Sequence, residues 1–294
     1  MQISANGIAL EVEDHGPPSG EPLLLIMGLG MQLVAWHDEF VASLVKRGFR
    51  VIRFDNRDIG LSQGFDHLGL PNLALDSLKY AMGLNVKSPY TLPDMAADAV
   101  GVLDALGIAR AHVCGASMGG MIAQQMAVRH PQRLKSLTLM MTSSGSRRLP
   151  QPSLKVRAAL MSRPRDPKDV ASVIAHNVGL YRLIGSPAYP ATDAYLHERL
   201  GMSVRRSYRP RGTARQLVAI AADGDRSRLL AGVRLPTQVI HGLQDALVPV
   251  AAGRDLAAKI PGAQLDLIEG MGHDLPQALW PRFAAGIAGA AGRA

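Results

Sequence analysis

The sequence predicts an α/β domain: a mostly parallel central sheet flanked by helices, with an inserted helical cap. Three observations carry this expectation. Short aliphatic runs bounded by turn residues recur along the chain, as buried parallel strands do. Apolar residues at helical spacing fill the gaps between those runs. The alternation stops at about Ser146 and resumes after Gly232. The 294 residues suffice for one large domain or a core with a cap. The expected division is a core formed by residues 1–145 and 233–294, interrupted by a helical cap over residues 146–232.

Taken in order, Pro22-Leu23-Leu24-Leu25-Ile26-Met27 is the first strand candidate and ends at Gly28. Arg50-Val51-Ile52-Arg53-Phe54 is the second and ends at Asp55. Between them Phe40, Val41, Leu44 and Val45 fall at helical spacing, and Gly48 is a fitting C-cap. Within Ser62 to Tyr90, Leu75, Leu78 and Met82 suggest a short amphipathic helix, either beside a site or packed on the surface. Thr91-x-x-Asp94 opens a helix as N-cap and first-turn acid, and Met95, Ala99, Val102, Leu103 and Leu106 continue it to Gly107. Ala111 to Ala116 reads as a strand, Met118 to Arg129 as a helix and Leu134 to Met141 as a strand. The stretch that follows carries scattered helical spacing, many arginines, and Pro150, Pro152, Pro164, Pro167, Pro187, Pro190 and Pro210. Alternation returns with a strand from Pro236 to His241, a helix around Ala251 to Lys259 and a strand Gln264 to Ile268. A last helix starts near Leu275, and the Ala/Gly-rich tail Ala284 to Ala294 is expected to fray.

Composition narrows the function classes. A single cysteine, Cys114, excludes an intrachain disulfide framework and a Cys-based zinc site. The most apolar stretch, Leu23 to Trp36, is shorter than the roughly 20 residues of a membrane span. The N-terminus has no basic region followed by an apolar one, so no membrane span and a cytoplasmic location are expected. Lys+Arg 32 against Asp+Glu 24 gives +8, which invites a nucleic-acid reading. Only five Phe, six Tyr and two Trp are available to stack on bases, and no recognised motif of that kind occurs. No P-loop, nicotinamide fingerprint or metal-ligand spacing is present, so no cofactor and no metal are expected.

Gly115-Ala116-Ser117-Met118-Gly119 matches G-x-S-x-G, with a strand leading in and a helix leading out. A serine pinched into that turn projects its hydroxyl above the sheet, and the following helix N-terminus favours developing negative charge. A hydroxyl needs a base within hydrogen-bond reach. Of the nine histidines, His273 is preferred, because it follows a strand end in the bent loop Glu269-Gly270-Met271-Gly272-His273. His241 and His112, at a strand end and a strand start, read as structural. The base in turn needs an orienting acid. Asp245 follows the strand ending at His241, whereas Asp274 is adjacent to His273 and Asp266 lies mid-strand.

The order Ser117, Asp245, His273 is that of one fold among the familiar triads. From about Ile8 to Trp280 the chain resembles the α/β-hydrolase fold family of the serine-nucleophile esterase type. The resemblance is carried by Met27-Gly28-Leu29-Gly30, Asp55 to Ser62, Gly115 to Gly120, His241-Gly242-x-x-Asp245 and Gly272-His273. Within the family the chain is most similar to the aclacinomycin methylesterase-like bacterial hydrolases. The resemblance implies an oxyanion hole formed by the backbone N–H groups of Leu29 and Met118, worth about 2.7–4 kcal/mol per donor. Met27-Gly28 stands where most relatives carry His-Gly, so the loop's supporting hydrogen bonds must differ. Asp58 stands where the family has Gly, and the Asp55 to Ser62 loop is expected to be a structural brace. Gly28, Met27, Met31 and Met271 are candidates for an adaptable apolar acyl pocket, with core packing as the competing role.

The expected activity is hydrolysis of a small-molecule carboxylic ester. Lactones, methyl esters, carbon–carbon bonds and peracid formation use the same machinery. A hydrolase-fold ligand receptor is the alternative from another class. Residues 146–232 hold sixteen Lys and Arg against six Asp and Glu, while the rest of the chain holds sixteen against eighteen. The basic excess therefore belongs to the expected cap, where it reads as solvated surface. A sharper expectation is that Arg205, Arg206, Arg209 and Arg211 steer acidic substrates.

Overall fold

The computed structural model describes residues Met1–Ala294. The chain begins with β1 (Gln2–Ala5), β2 (Ile8–His15), β3 (Glu21–Ile26), α1 (Asp38–Val45), β4 (Phe49–Phe54), α2 (Leu73–Ala81), α3 (Leu92–Ala105), β5 (Ala111–Ala116), α4 (Met118–Arg129) and β6 (Leu134–Met140). Five consecutive helices follow: α5 (Leu154–Met161), α6 (Val170–Ile184), α7 (Asp193–Arg206), α8 (Pro210–Asp223) and α9 (Ser227–Leu230). It ends with β7 (Thr237–Gly242), α10 (Ala251–Lys259), β8 (Gln264–Ile268) and α11 (Trp280–Ala291). The eight strands form one sheet in the order β1-β2-β4-β3-β5-β6-β7-β8. Strands β4, β3, β5, β6, β7 and β8 are parallel, and β2 joins β4 antiparallel.

Period-two alternation sorts the aliphatic strands onto two cores. Leu24 and Ile26 point into a cluster with Ile52, Met95, Val102, Ile122 and Met126, beneath α3 and α4. Leu23 and Leu25 point the other way, to Trp36 before α1, Phe40 of α1, and Trp280, Phe283 and Ile287 of α11. The capping box at α3 is present in full, with Thr91 and Asp94 each accepting from the other's backbone N–H.

Three features depart from the expectations. The hairpin β1–β2 precedes the aliphatic runs; its turn, Asn6-Gly7, has positive φ at both residues (50° and 75°), the chemistry a tight hairpin requires. The Ala/Gly tail does not fray, because Phe283, Ala284, Ile287 and Ala290 form one buried face of α11. Helix α2 forms, but Leu75, Leu78 and Met82 are exposed and are not among the residues that line the cavity at Ser117.

The helices between β6 and β7 have their own small cluster of six buried residues, from Val173 to Val204. Other apolar residues of the segment pack elsewhere, with Ala219 and Leu230 in the core cluster beneath α3 and α4. Polar contacts to the sheet domain add to this anchoring. Arg215 on α8, 1% exposed, donates to both oxygens of Asp58 at 2.7 and 2.8 Å. Asp58 also accepts from the Tyr90 hydroxyl at 2.9 Å and the Phe65 N–H at 2.8 Å, at a backbone φ of 72°. Arg206 donates to Asp55 at 2.7 Å and to Gln32 at 2.6 Å. Arg226 is fully buried against Asp223, Gln124 and the Ser143 carbonyl. Some of the segment's positive charge is thus turned inward rather than solvated, Arg206 included, since it faces Asp55 and Gln32.

Candidate active site

Strand β5 enters a turn at Ser117 and α4 leaves it. Ser117 has φ 54° and ψ −120°, a conformation that costs a non-glycine residue about 1–3 kcal/mol. It persists because strand and helix backbones are in contact there. A Cβ on Gly115 would stand 2.2 Å from the Gly119 carbonyl, and one on Gly119 would stand 2.0 Å from the Ile26 carbonyl. The turn is tied further by the Ser117 N–H to the Met140 carbonyl and by the Thr142 hydroxyl to the Ser117 carbonyl, at 2.9 and 2.7 Å.

His273 Nε2 lies 3.0 Å from Ser117 Oγ, and His273 Nδ1 lies 2.8 Å from Asp245 Oδ2. Asp245 Oδ1 accepts from the Leu247 and Val248 N–H groups at 2.9 and 2.7 Å, which fixes the carboxylate. With that carboxylate on Nδ1, the tautomer carrying its proton there leaves Nε2 free to accept from the serine hydroxyl. The three residues expected from chain order therefore meet in one file, on the ends of three parallel strands.

The neighbours with competing claims do other work. Asp274 is turned away to the Ser186 hydroxyl, and its burial raises its pKa. His241 donates from Nε2 to the Val248 carbonyl at 2.8 Å, and burial lowers its pKa, so the ring is neutral. His241 thus supports the turn that carries Asp245. The His273 loop is held from the inserted helices, with the His273 N–H on the Ile184 carbonyl at 2.7 Å and the Gly272 N–H on Ser186 Oγ at 2.9 Å.

Ser117 opens into a cavity of about 190 Å³ lined by 23 residues, 16 of them hydrophobic. Gly28, Met27 and Met31 line it, as does Leu29; the Leu29 and Met118 N–H groups make none of the turn, cap or side-chain hydrogen bonds of this region. Met271 is a correction. It is fully buried in the core cluster with Ile268 and Phe283 and does not reach the cavity, because the loop turns its side chain under β8.

Sequence reasoning missed the opposite wall. Leu160, Leu180, Tyr181, Ile184, Tyr195, Leu196, Arg199 and Leu200 come from α5, α6 and α7. Their i,i+3 and i,i+4 spacing is visible in the sequence, but nothing there says which helical face meets the sheet domain. Arg199 is the single Lys or Arg in the lining, and it donates to the Val34 carbonyl at 2.8 Å. His37 also lines the cavity and contacts the Tyr195 hydroxyl at 3.2 Å. Burial, aided by Arg199, lowers its pKa to about 4, so it is neutral.

Comparison with known proteins agrees with this architecture. Residues 21–180 match the alpha/beta hydrolase fold family. A rhodomycin D methylesterase from Streptomyces sp. (strain C5) is 29% identical, over 97% of this chain and 95% of that protein. The solved enol-lactonase from Burkholderia xenovorans LB400 superposes with a TM-score of 0.75 at 24% identity, covering 99% of each chain. The meta-cleavage product hydrolase from Pseudomonas fluorescens IP01 superposes with a TM-score of 0.76 at 21% identity, covering 100% of this chain and 97% of that one. No helix is long and apolar enough to cross a membrane.

Proposed function

Since the chain belongs to the alpha/beta hydrolase fold family, we propose that it is a serine hydrolase that cleaves a small carboxylic ester through an acyl-enzyme intermediate. The observation that supports this most is the unbroken file Ser117 Oγ, His273 Nε2 and Nδ1, Asp245 Oδ2, with contacts of 3.0 and 2.8 Å, opening on a mostly apolar cavity. His273 takes the Ser117 proton as Oγ attacks the ester carbonyl. The negative oxygen of the tetrahedral intermediate accepts from the Leu29 and Met118 N–H groups. Asp245 holds His273 in the competent tautomer and stabilises the imidazolium. His273 then protonates the leaving alcohol, activates water and takes part in the reverse sequence that releases the acid.

In this reading residues 146–232 are a cap whose helices α5, α6 and α7 shape the acyl side of the cavity. The apolar lining favours a hydrophobic acyl group. The methylesterase among the relatives makes methyl esters of apolar acids the first substrates to try. A panel of esters varying in acyl and alcohol length, run against wild type and Ser117→Ala, tests the proposal. Turnover that survives in Ser117→Ala overturns it. Stoichiometric ligand retention without turnover would favour a receptor instead.

A further inference from the structure

The peptide Gly28-Leu29-Gly30 follows β3 as a turn closed by one long backbone bond, Met31 N–H to the Gly28 carbonyl at 3.2 Å, which shapes the turn but does not anchor the Leu29 N–H against the rest of the site. A donor misplaced by about an ångström loses most of its value to a transition state. One side of this loop is held by the sheet domain, where Asn56 Nδ2 donates to the Met27 carbonyl at 2.9 Å. The other side is held by α8. The Gly30 N–H donates to Gln216 Oε1 at 3.0 Å, and Gln216 Nε2 donates to the Arg57 carbonyl at 2.9 Å. Gln216 has 0% exposure, so its amide has no water to exchange for these partners. An oxygen facing an N–H and a nitrogen facing a carbonyl leave one amide orientation that satisfies both. Helix α8 also lies against the same peptide: Gly30 has φ +68°, and a Cβ there would stand 2.9 Å from Thr213. Two residues on, Gln32 Nε2 donates to the Ser203 and Ser207 carbonyls, both at 2.7 Å.

We propose that Gln216 is a positioning residue of the reaction: through the Gly30 N–H it fixes the peptide that presents the Leu29 N–H, so the inserted helices complete the oxyanion hole. This rests on the ester-hydrolase reading. Gln216 touches no substrate. Its removal leaves the partly buried Gly30 N–H without this partner and frees the loop to shift. The neutral ester carbonyl of the ground state gains little from the Leu29 donor, whereas the tetrahedral oxyanion gains much. The loss therefore falls on kcat and not on KM.

The test uses the full chain with Gln216→Met, near-isosteric but without an acceptor, and Gln216→Glu, which keeps one. Gln125→Leu is the control: it removes another buried bond between sheet domain and inserted helices, Gln125 Nε2 to Asp223 at 2.7 Å, away from the loop. Measured are kcat and KM on a p-nitrophenyl ester, inhibition by an alkylboronic acid as tetrahedral mimic, the rate of Ser117 labelling by a fluorophosphonate, and Tm. Gln216→Met is expected to lower kcat and labelling rate by about 10- to 100-fold, with KM within about twofold and boronate binding weakened in proportion. Gln216→Glu is expected to recover to within about tenfold of wild type, and Gln125→Leu to lose Tm but less than about twofold in kcat. If Gln216→Met does not fold, Gln216→Asn, too short to span both partners, carries the same expectation. A Gln216 variant whose kcat matches Gln125→Leu at equal folded fraction, or whose effect lies in KM alone, overturns the assignment. Should Ser117→Ala keep wild-type turnover, the hydrolase reading itself falls; with Ser117→Ala inactive, a silent Gln216 removes only the positioning role.

Discussion

The turn at Ser117 and the loop from Gly28 to Gln32 sit a few ångströms apart, yet they are built by different means. The turn at Ser117 is held by backbone against backbone, with Gly115 and Gly119 allowing contacts that no Cβ would fit. The Gly28 to Gln32 loop closes on itself through one backbone bond, Met31 N–H to the Gly28 carbonyl, and is tied to its surroundings by side chains, Asn56 from one direction and Gln216, Arg206 and the α7 C-terminus from the other. The histidine loop follows the second pattern, leaning on Ile184 and Ser186. Steric construction inside the sheet domain is rigid and leaves a glycine signature. Polar construction across the boundary with the inserted helices leaves scattered Gln, Arg and Asp residues that have no pattern along the chain. The inserted segment is therefore a piece of the site's scaffold as well as one wall of its cavity.

The largest expected effect breaks activity while sparing this scaffold. Ser117→Gly should lower kcat by about 10⁴-fold or more. Its stability should stay at or above wild type, because relief of about 1–3 kcal/mol of strain outweighs the roughly 0.5–1 kcal/mol entropic cost of glycine. Ester turnover and urea unfolding check both halves, and a strongly destabilised variant would show that the turn is not strained. Next, Asp245→Asn should cost about 10⁴-fold in kcat by favouring the wrong imidazole tautomer. Its folded structure should persist, since the amide oxygen can still accept from the Leu247 and Val248 N–H groups, and circular dichroism checks this.

The boundary itself is probed by Asp58→Asn, which breaks a buried ion pair and should cost about 3–5 kcal/mol at pH 7. Burial pushes the Asp58 carboxyl up, but Arg215, the Phe65 N–H and the Tyr90 hydroxyl outweigh it and hold the pKa below its ordinary value. A depressed carboxylate pKa contributes stability above the ordinary value and loses it as pH falls through the folded value. Wild type should therefore lose stability below about pH 4 more steeply than Asp58→Asn, and Tm against pH measures the two slopes. Equal slopes would mean the pair contributes nothing at the boundary. The smallest effect sharpens the steric contrast. A methyl group added at Gly179 in α6 would meet nothing within 4 Å, so Gly179→Ala should stabilise by about 0.5–1 kcal/mol in thermal unfolding. Gly119→Ala, by contrast, should fail to reach a native Tm.

The sheet, its helices and the Ser117, Asp245, His273 file were legible because each rests on local chemistry. Strands β3 to β6 are short aliphatic runs, α3 has its Thr91–Asp94 box, and the three site residues each follow a strand end. The hairpin at Asn6-Gly7 carries an equally local signal, with Ile3 and Ala5 before the turn and Ile8, Leu10 and Val12 after it at period two, but its strands are not the continuous aliphatic runs by which the other strands stand out. Met271 was misplaced because a loop's neighbours in sequence do not fix which way a side chain turns. Leu180, Tyr181, Tyr195 and Arg199 were out of reach because helical spacing defines a face but not what that face meets.

Which residues do the proposed chemistry, and in which order, follows from the sequence alone, since a glycine-flanked serine, a loop histidine and a strand-end aspartate carry local constraints. What steadies them was settled only in the folded molecule. Gln216 lies 186 residues from Gly30, and Arg215 lies 157 from Asp58. Contacts at that separation depend on how packed layers come to rest against each other, and no local rule of spacing or propensity encodes it.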